Sequence, residues 1–227
     1  MINNNDIHIQ RHKGLQFYSI CGIIPLILFF AWLIIAAILS PGYNGNSSYI
    51  SPIQVGFYAV LQNVVFVVLG LLSIGLTFGL RIGLPSTQNR LLNMGIWSVM
   101  IFSLGVLLAG LLPLVGLFPE NYLVVVPYNL LSVTAFAITF VAYILAMLLI
   151  GQGLKNEDSI IWSQYSRYSL GTGLLFIILL ILLIIAIFYS FGPGVTLRVF
   201  IIISWVWILM TGVKLYSIST NKKTRWI

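Results

Sequence analysis

Long apolar runs alternate with short polar segments along the whole chain. Six of these runs reach the roughly 20 residues that a helix needs to cross a ~30 Å hydrocarbon core. Helices are favoured because backbone groups that face lipid must be hydrogen-bonded within their own segment, and the alternating pattern of a barrel strand is absent. The pattern predicts an all-α fold, an integral membrane bundle of six transmembrane helices, at Tyr18–Ser40, Gly56–Leu80, Leu91–Phe118, Leu123–Ile150, Tyr168–Phe191 and Leu197–Ile218.

Two short polar tails flank the apolar part of the chain. We expect a cytoplasmic N-terminal tail at residues 1–16, a transmembrane domain at 17–219 and a cytoplasmic C-terminal tail at 220–227. The first apolar run is longer than the roughly 7–15 residues of a signal peptide core, so it is predicted to be an uncleaved first span.

Composition excludes a soluble globule. The chain is 60% hydrophobic and only 7% charged, whereas soluble domains carry about 25% charged residues. The net charge of +7 comes from basic residues scattered through short loops and tails. This distribution is typical of membrane topology and anionic headgroups, so membrane lipids are the expected partners and nucleic acid is not.

The basic residues give the predicted bundle an orientation. Of the 11 Lys and Arg residues, all but Arg198 fall on one side of the alternating pattern. Because basic residues near span ends mark the cytoplasmic side, both termini are predicted to be cytoplasmic in a multi-pass protein of the cell membrane. Lys214 is expected to reach the headgroups on that side as an interface anchor. The predicted extracytoplasmic loops are Pro41–Val55, Pro119–Tyr122 and Gly192–Thr196.

Arg198 is the charge that this orientation leaves unexplained. Glu120 is the only acid on the predicted outer side. An arginine near the low-dielectric interface is costly unless paired, and a carboxylate is its best planar partner. We therefore expect the side chains of Glu120 and Arg198 to approach each other, either to hold two helices together or to form part of a ligand site.

Other polar residues converge on the same predicted outer face. They lie in the first and third loops and at the outer ends of spans two and four. Together with the expected ion pair they form the candidate ligand-binding set Tyr43, Asn44, Asn63, Glu120, Tyr128, Asn129 and Arg198.

The sequence supplies little else for chemistry. His8 and His12 are the only histidines and lie in the polar N-terminal tail without a third ligand nearby, so no metal site and no Ser/His/Asp set is expected. The chain lacks a phosphate-cradling loop and a dinucleotide fingerprint. Cys21 is its only cysteine. We therefore predict no catalytic residues and no cofactor.

Glycines within the spans predict close helix packing. Gly75 and Gly79 form a GxxxG motif in span two, and Gly105 and Gly110 lie in span three. Small residues of this kind let the backbones of membrane helices approach one another.

Several short motifs resemble the domain of unknown function 998 family of multi-span prokaryotic membrane proteins. The resemblance extends from about Gly22 to Tyr216. Its pieces are GIIP at Gly22–Pro25, the following PGYNGNSSYIS, QNVVFVVLGLL at Gln62–Leu72, GLFPEN at Gly116–Asn121, YNLLS at Tyr128–Ser132 and the Leu-Arg of GVTLRV before the last span.

The resemblance implies six helices and a polar outer cluster, and it implies no activity. In the family pattern a histidine stands where this chain has Tyr128. A tyrosine, with a pKa near roughly 10, donates a hydrogen bond but is a poor base at neutral pH.

Three classes of function are compatible with these observations. The first is a non-catalytic membrane protein, either an accessory or structural subunit beside other membrane subunits or a lipid-contacting component of a membrane complex. The second is a binding or transport module with an outward-facing polar pocket for a lipid headgroup or a small amphiphile. The third is an intramembrane lipid-modifying enzyme in which Glu120 would act as the acid/base and Arg198 would hold a phosphate.

Overall fold

A computed structural model describes residues 4–39, 57–85, 89–115, 125–157, 160–189 and 193–220. Within these ranges the chain is all-α, with six helices and no strand. The helices are α1 Asn4–Leu39, α2 Phe57–Gly83, α3 Arg90–Val115, α4 Val125–Gly153, α5 Ile160–Phe188 and α6 Pro193–Thr220.

The described helices are those of a multi-pass membrane protein. Five of them contain stretches long and apolar enough to cross a membrane: Lys13–Ile35, Val60–Gly83, Arg90–Leu111, Trp162–Ala186 and Val199–Thr220. In α4 the described apolar stretch is shorter, Ala137–Gly153. A sixth span therefore stays a prediction, although the 29 residues of α4 amount to about 44 Å of helix at 1.5 Å per residue.

The helices form a closed ring in chain order. Each helix packs against its neighbours in sequence, α6 packs against α1, and α2 also touches α6. Glycines let the backbones come close where the ring closes. A Cβ on Gly22 of α1 would come within 2.9 Å of Cα of Gly212 on α6, and one on Gly79 of α2 would come within 2.8 Å of Cβ of Tyr18. Both contacts require glycine.

Close approach also fixes α3 between its neighbours. A Cβ on Gly70 of α2 would lie 2.6 Å from the backbone nitrogen of Leu107, and one on Gly110 of α3 would lie 2.7 Å from that of Val67. Gly105 of α3 faces the side chain of Thr139 on α4. The packing role that the sequence predicts for the span glycines is thus confirmed.

The middle of the ring is filled by aromatic side chains. The rings of Phe102 and Tyr143 lie 4.4 Å apart between centroids, and those of Phe176 and Phe200 lie 4.2 Å apart. These two contacts join neighbouring helices, α3 with α4 and α5 with α6, whereas Tyr143 also packs against Trp207 and so joins α4 to α6, which are not adjacent in sequence. The aromatic core consists of Phe29, Phe102, Tyr143, Phe176, Phe200, Trp205 and Trp207, all buried.

Helices α1, α3, α5 and α6 begin before the apolar runs that predict them, and the difference is largest for α1 and α5. Helix α1 begins at Asn4, inside the expected tail, and α5 begins at Ile160 rather than Tyr168. Residues 160–167, which precede the fifth predicted span, therefore belong to a helix. Hydropathy marks the part of a helix that meets hydrocarbon. The backbone hydrogen bonds continue beyond it, and Ser166 in the extra turns donates to the Gly151 carbonyl of α4 at 2.7 Å.

Candidate functional site

Most of the sequence-predicted ligand set lies beyond the part of the chain that the structure describes. Tyr43, Asn44 and Glu120 are outside the described residues. Tyr128, Asn129 and Arg198 belong to α4 and α6, but their side chains are also outside the description. The approach of Glu120 to Arg198 stays a prediction.

Asn63 is the member of that set whose surroundings are described. It is 7% exposed on α2, and a Cβ on Gly110 of α3 would lie 2.6 Å from its backbone oxygen. Asn63 therefore lies at the α2–α3 contact. The neighbouring Gln62 carries a shielded side-chain oxygen, Oε1, that has no hydrogen-bond partner within the described structure.

Polar groups of the described chain gather instead between α4, α5 and α6. The Tyr165 hydroxyl of α5 and the Thr211 hydroxyl of α6 lie 2.6 Å apart. One turn deeper, the Trp207 indole Nε1–H donates to Ser169 Oγ at 3.1 Å, and Ser169 Oγ donates to the Met147 carbonyl of α4 at 2.8 Å. We call these residues, with Ser166, the hydroxyl network.

A second link between α4 and α6 lies in the aromatic core. The Tyr143 hydroxyl donates to the Ser204 carbonyl, and both residues are buried. Burying a hydroxyl costs free energy unless it is hydrogen-bonded. The core thus positions the tyrosine hydroxyl beside a carbonyl that accepts its hydrogen bond.

Asn89 fixes one end of the bundle. Its Oδ1 accepts from the Leu91 N–H at 3.0 Å, which caps the first turn of α3. Its Nδ2 donates to the Gly153 carbonyl at 2.9 Å, at the last residue of α4. One amide therefore ties the start of one helix to the end of its neighbour.

The described charges mark the same end of the bundle. Their side chains are mostly exposed and lie near the starts of α1, α3 and α5 or the ends of α2, α4 and α6. Glu157 is the one acid whose side chain is described. Among the described side chains, six basic groups less one acid leave an excess of five positive charges at this end, which we call the basic end. The six basic groups are Lys13, Arg81, Arg90, Lys155, Arg167 and Lys214.

Lys214 differs from the other basic residues because it is partly buried. Its Nζ lies 6.0 Å from the centroid of the Trp162 ring, within the range of a cation–π interaction. Trp162 is 7% exposed and packs edge-on against Tyr165, with 6.2 Å between ring centroids. The Trp162 ring is therefore held in place beside the ammonium group of Lys214.

The described residues contain no group of three or more His, Cys, Asp or Glu side chains that could hold a metal. Cys21 is buried against Gly75 of α2. Two further polar atoms are shielded without a hydrogen-bond partner in the described structure, the Tyr168 hydroxyl and the Trp205 indole nitrogen.

Sequence reasoning found the charges of the basic end but missed the hydroxyl network. Ser169 and Thr211 are polar positions in the predicted spans five and six, and Ser166 comes just before span five. Single hydroxyls are common in membrane helices because they can bond to their own backbone. Only the packing of α5 against α6 distinguishes a shared network from such isolated groups.

Comparison with known proteins gives one family. The model of the family described as "Protein of unknown function (DUF998)" matches residues 23–214. No curated protein and no solved structure matches the chain.

Proposed function

This chain belongs to the DUF998 family of proteins of unknown function, and from that premise we propose that it is a non-catalytic, lipid-contacting structural component of the membrane. The proposal is supported by the hydrogen bonds that the polar groups of α4, α5 and α6 make with one another. The hydroxyls of Ser166, Ser169 and Thr211 are bound to carbonyls or to other side chains across helix contacts. Groups used in this way stabilise the bundle and are not free to act on a substrate.

The outward faces of the helices support the same function. Large apolar side chains such as Ile27 of α1, Ile138 of α4 and Ile178 of α5 are more than half exposed. Surfaces of this kind suit contact with acyl chains or with the apolar faces of other membrane subunits. The accessory-subunit form of the proposal places a partner on one of these faces, whereas the lipid form places acyl chains on all of them.

Extraction from the source membrane in polymer-bounded discs tests the proposal. Mass spectrometry of the purified discs would identify the lipids and proteins that remain with the chain through size-exclusion chromatography. We expect a monodisperse particle that still carries phospholipid after transfer from the discs into detergent. A constant ratio to a second protein would support the accessory-subunit form. A particle that keeps its fold after complete delipidation, with neither lipid nor partner retained, would contradict both forms.

Gln62 supports a second candidate, a binding module for a polar ligand at the end opposite the basic end. Its shielded Oε1 lies beside Asn63 and has no hydrogen-bond partner among the residues that the structure describes. An acceptor of this kind is favourable only when a donor reaches it. The expected ligand is a headgroup that carries an N–H donor.

Thermal unfolding with a short-chain phosphatidylethanolamine tests the second candidate. Gln62→Met should abolish the stabilisation that this lipid gives, and Gln152→Met, at an exposed position of α4, should leave it unchanged. Equal stabilisation of both variants would refute this function. The enzyme hypothesis depends on Glu120 and Arg198, so it is not part of the proposal.

A further inference from the structure

Among the basic residues whose side chains are described, only Lys214 is partly buried in the bundle. It lies six residues before Thr220, the last residue of α6, so its Cα is about 9 Å inside the helix end at 1.5 Å per residue. Trp162, which its ammonium group faces, lies two residues after the start of α5 at Ile160. The pair is thus at the rim of the basic end, where α5 and α6 meet.

The surroundings of Lys214 are held in place by contacts one turn deeper. Thr211 lies three residues before Lys214 on α6, and Tyr165 lies three residues after Trp162 on α5, so each pair shares a helix face. The hydroxyls of Tyr165 and Thr211 are 2.6 Å apart. The Trp162 ring and the Lys214 side chain are therefore positioned before any ligand binds, which reduces the entropy lost on binding.

The positive charge has no counterion in the described structure. No carboxylate among the described residues forms an ion pair with Lys214, and the described acid Glu157 lies in the connection between α4 and α5. An ammonium group near hydrocarbon is costly without an anion. The Trp162 ring attracts the cation but does not neutralise it, and the three N–H donors of lysine leave room for an oxygen acceptor.

From this geometry we propose that Lys214 and Trp162 form a binding site for the phosphate of an anionic lipid headgroup. The proposal rests on the lipid-contacting function proposed above and assigns that function a ligand class and two residues. The ammonium group donates charge-assisted hydrogen bonds to phosphate oxygens, and Trp162 shields the pair from water on one side. The acyl chains then lie along the apolar outer surface of α5, where Leu174 and Ile178 are exposed.

Lipid discs of defined composition test the site in the intact chain. The wild-type protein and its variants would be placed in phosphatidylcholine discs, and binding of added phosphatidylglycerol would be measured by native mass spectrometry. Lys214→Gln removes a hydrogen bond from a charged group, so it should weaken the binding of phosphatidylglycerol about tenfold or more. Lys155→Gln, which removes an exposed lysine of the same end, should change it less than about threefold. Lys214→Arg should retain most of the binding, since the charge remains.

Equal losses in Lys214→Gln and Lys155→Gln would overturn the proposal, because they would show attraction by the net charge alone. Unchanged binding in Lys214→Gln would overturn it as well. If phospholipid is retained but does not depend on Lys214, only this site is wrong. If no phospholipid is retained by the wild-type protein, the lipid-contacting function itself is wrong.

A second measurement needs no variant, so it remains decisive if Lys214→Gln does not fold. An amine-reactive reagent would label the wild-type protein, and peptide mass spectrometry would give the modified fraction at Lys214 and Lys155. Phosphatidylglycerol should protect Lys214 several-fold more than Lys155. In a parallel labelling experiment, inorganic phosphate replaces the lipid. Protection of Lys214 by phosphate without protection by the lipid would overturn the lipid assignment, and absence of protection in both arms would overturn the site.

Discussion

Two tryptophans of the aromatic core offer a matched comparison of a satisfied and an unsatisfied buried N–H. Trp205 and Trp207 are 2% and 0% exposed and lie two residues apart on α6. The Trp207 indole donates to Ser169 Oγ at 3.1 Å, whereas the Trp205 indole nitrogen is shielded and has no acceptor in the described structure. Replacing each by phenylalanine removes the same atoms, so the apolar transfer terms are closely similar.

The two replacements should differ through the N–H group. Trp207→Phe loses a hydrogen bond worth about 0.6 kcal/mol on average between membrane helices. Trp205→Phe instead removes a buried, unpaired donor, which costs about 1–3 kcal/mol in the wild-type fold. We therefore expect Trp207→Phe to be the less stable variant by about 2 kcal/mol. At roughly 2–4 °C per kcal/mol for a chain of this size, the difference in Tm is about 4–8 °C.

Cys21 makes the measurement direct. It is the only cysteine of the chain, and it is 6% exposed, so a thiol-reactive fluorogenic dye reports the opening of the bundle in detergent. The six tryptophans become five in both variants, which keeps intrinsic fluorescence comparable. If Trp205→Phe melts at or below the temperature of Trp207→Phe, the reasoning is refuted. The Trp205 N–H would then be hydrogen-bonded, or the two sites would relax differently around the lost volume.

Three further expectations follow from contacts at other places in the bundle. Gly70→Ala places a methyl group against the α3 backbone, 2.6 Å from its nearest atom, and should cost about 1–3 kcal/mol. Gly171→Ala meets no atom within 4 Å and should gain up to about 1 kcal/mol; the same Tm for both would contradict the packing role. Tyr165→Phe removes the hydroxyl contact with α6 and should cost about 1 kcal/mol in the dye assay, and a neutral result would show that this hydroxyl is solvated. For sidedness, Lys155→Cys and Tyr189→Cys should react with an impermeant thiol reagent only from the cytoplasmic and the outer side, respectively, and labelling from one common side would refute the predicted topology.

The all-α fold class could be predicted from the sequence because each apolar run predicts a helix independently of the others. A helix in lipid satisfies its backbone without help from other segments, so long Leu, Ile and Val runs predict helices one at a time. Helix ends were less accessible. The starts of α1 at Asn4 and of α5 at Ile160 lie outside the apolar runs, where hydropathy carries no information about where a helix begins.

Packing contacts between helices could be predicted only where the residue type itself indicates close approach, as glycine does. Gly105 and Gly110 indicate close approach because they have no side chain, and the structure confirms it. Tyr165 and Thr211, in contrast, are 46 residues apart, and neither residue type reveals its partner. The same holds for Lys214, which the sequence presents as an interface anchor. The structure adds the Trp162 ring, and that contact is what turns an anchor into a candidate binding residue.

The contact between Gly22 and Gly212 has a consequence for how the chain is made. These residues are 190 positions apart (212 less 22) and belong to the first and last helices. Early helices leave the ribosome and meet lipid before α6 exists, so the glycine face of α1 has no partner until α6 has been synthesised. A nascent chain that stops before α6 also leaves the Tyr143 hydroxyl without the Ser204 carbonyl. Assembly of the bundle is thus tied to the synthesis of α6, and a product truncated before α6 keeps a buried hydroxyl without its acceptor.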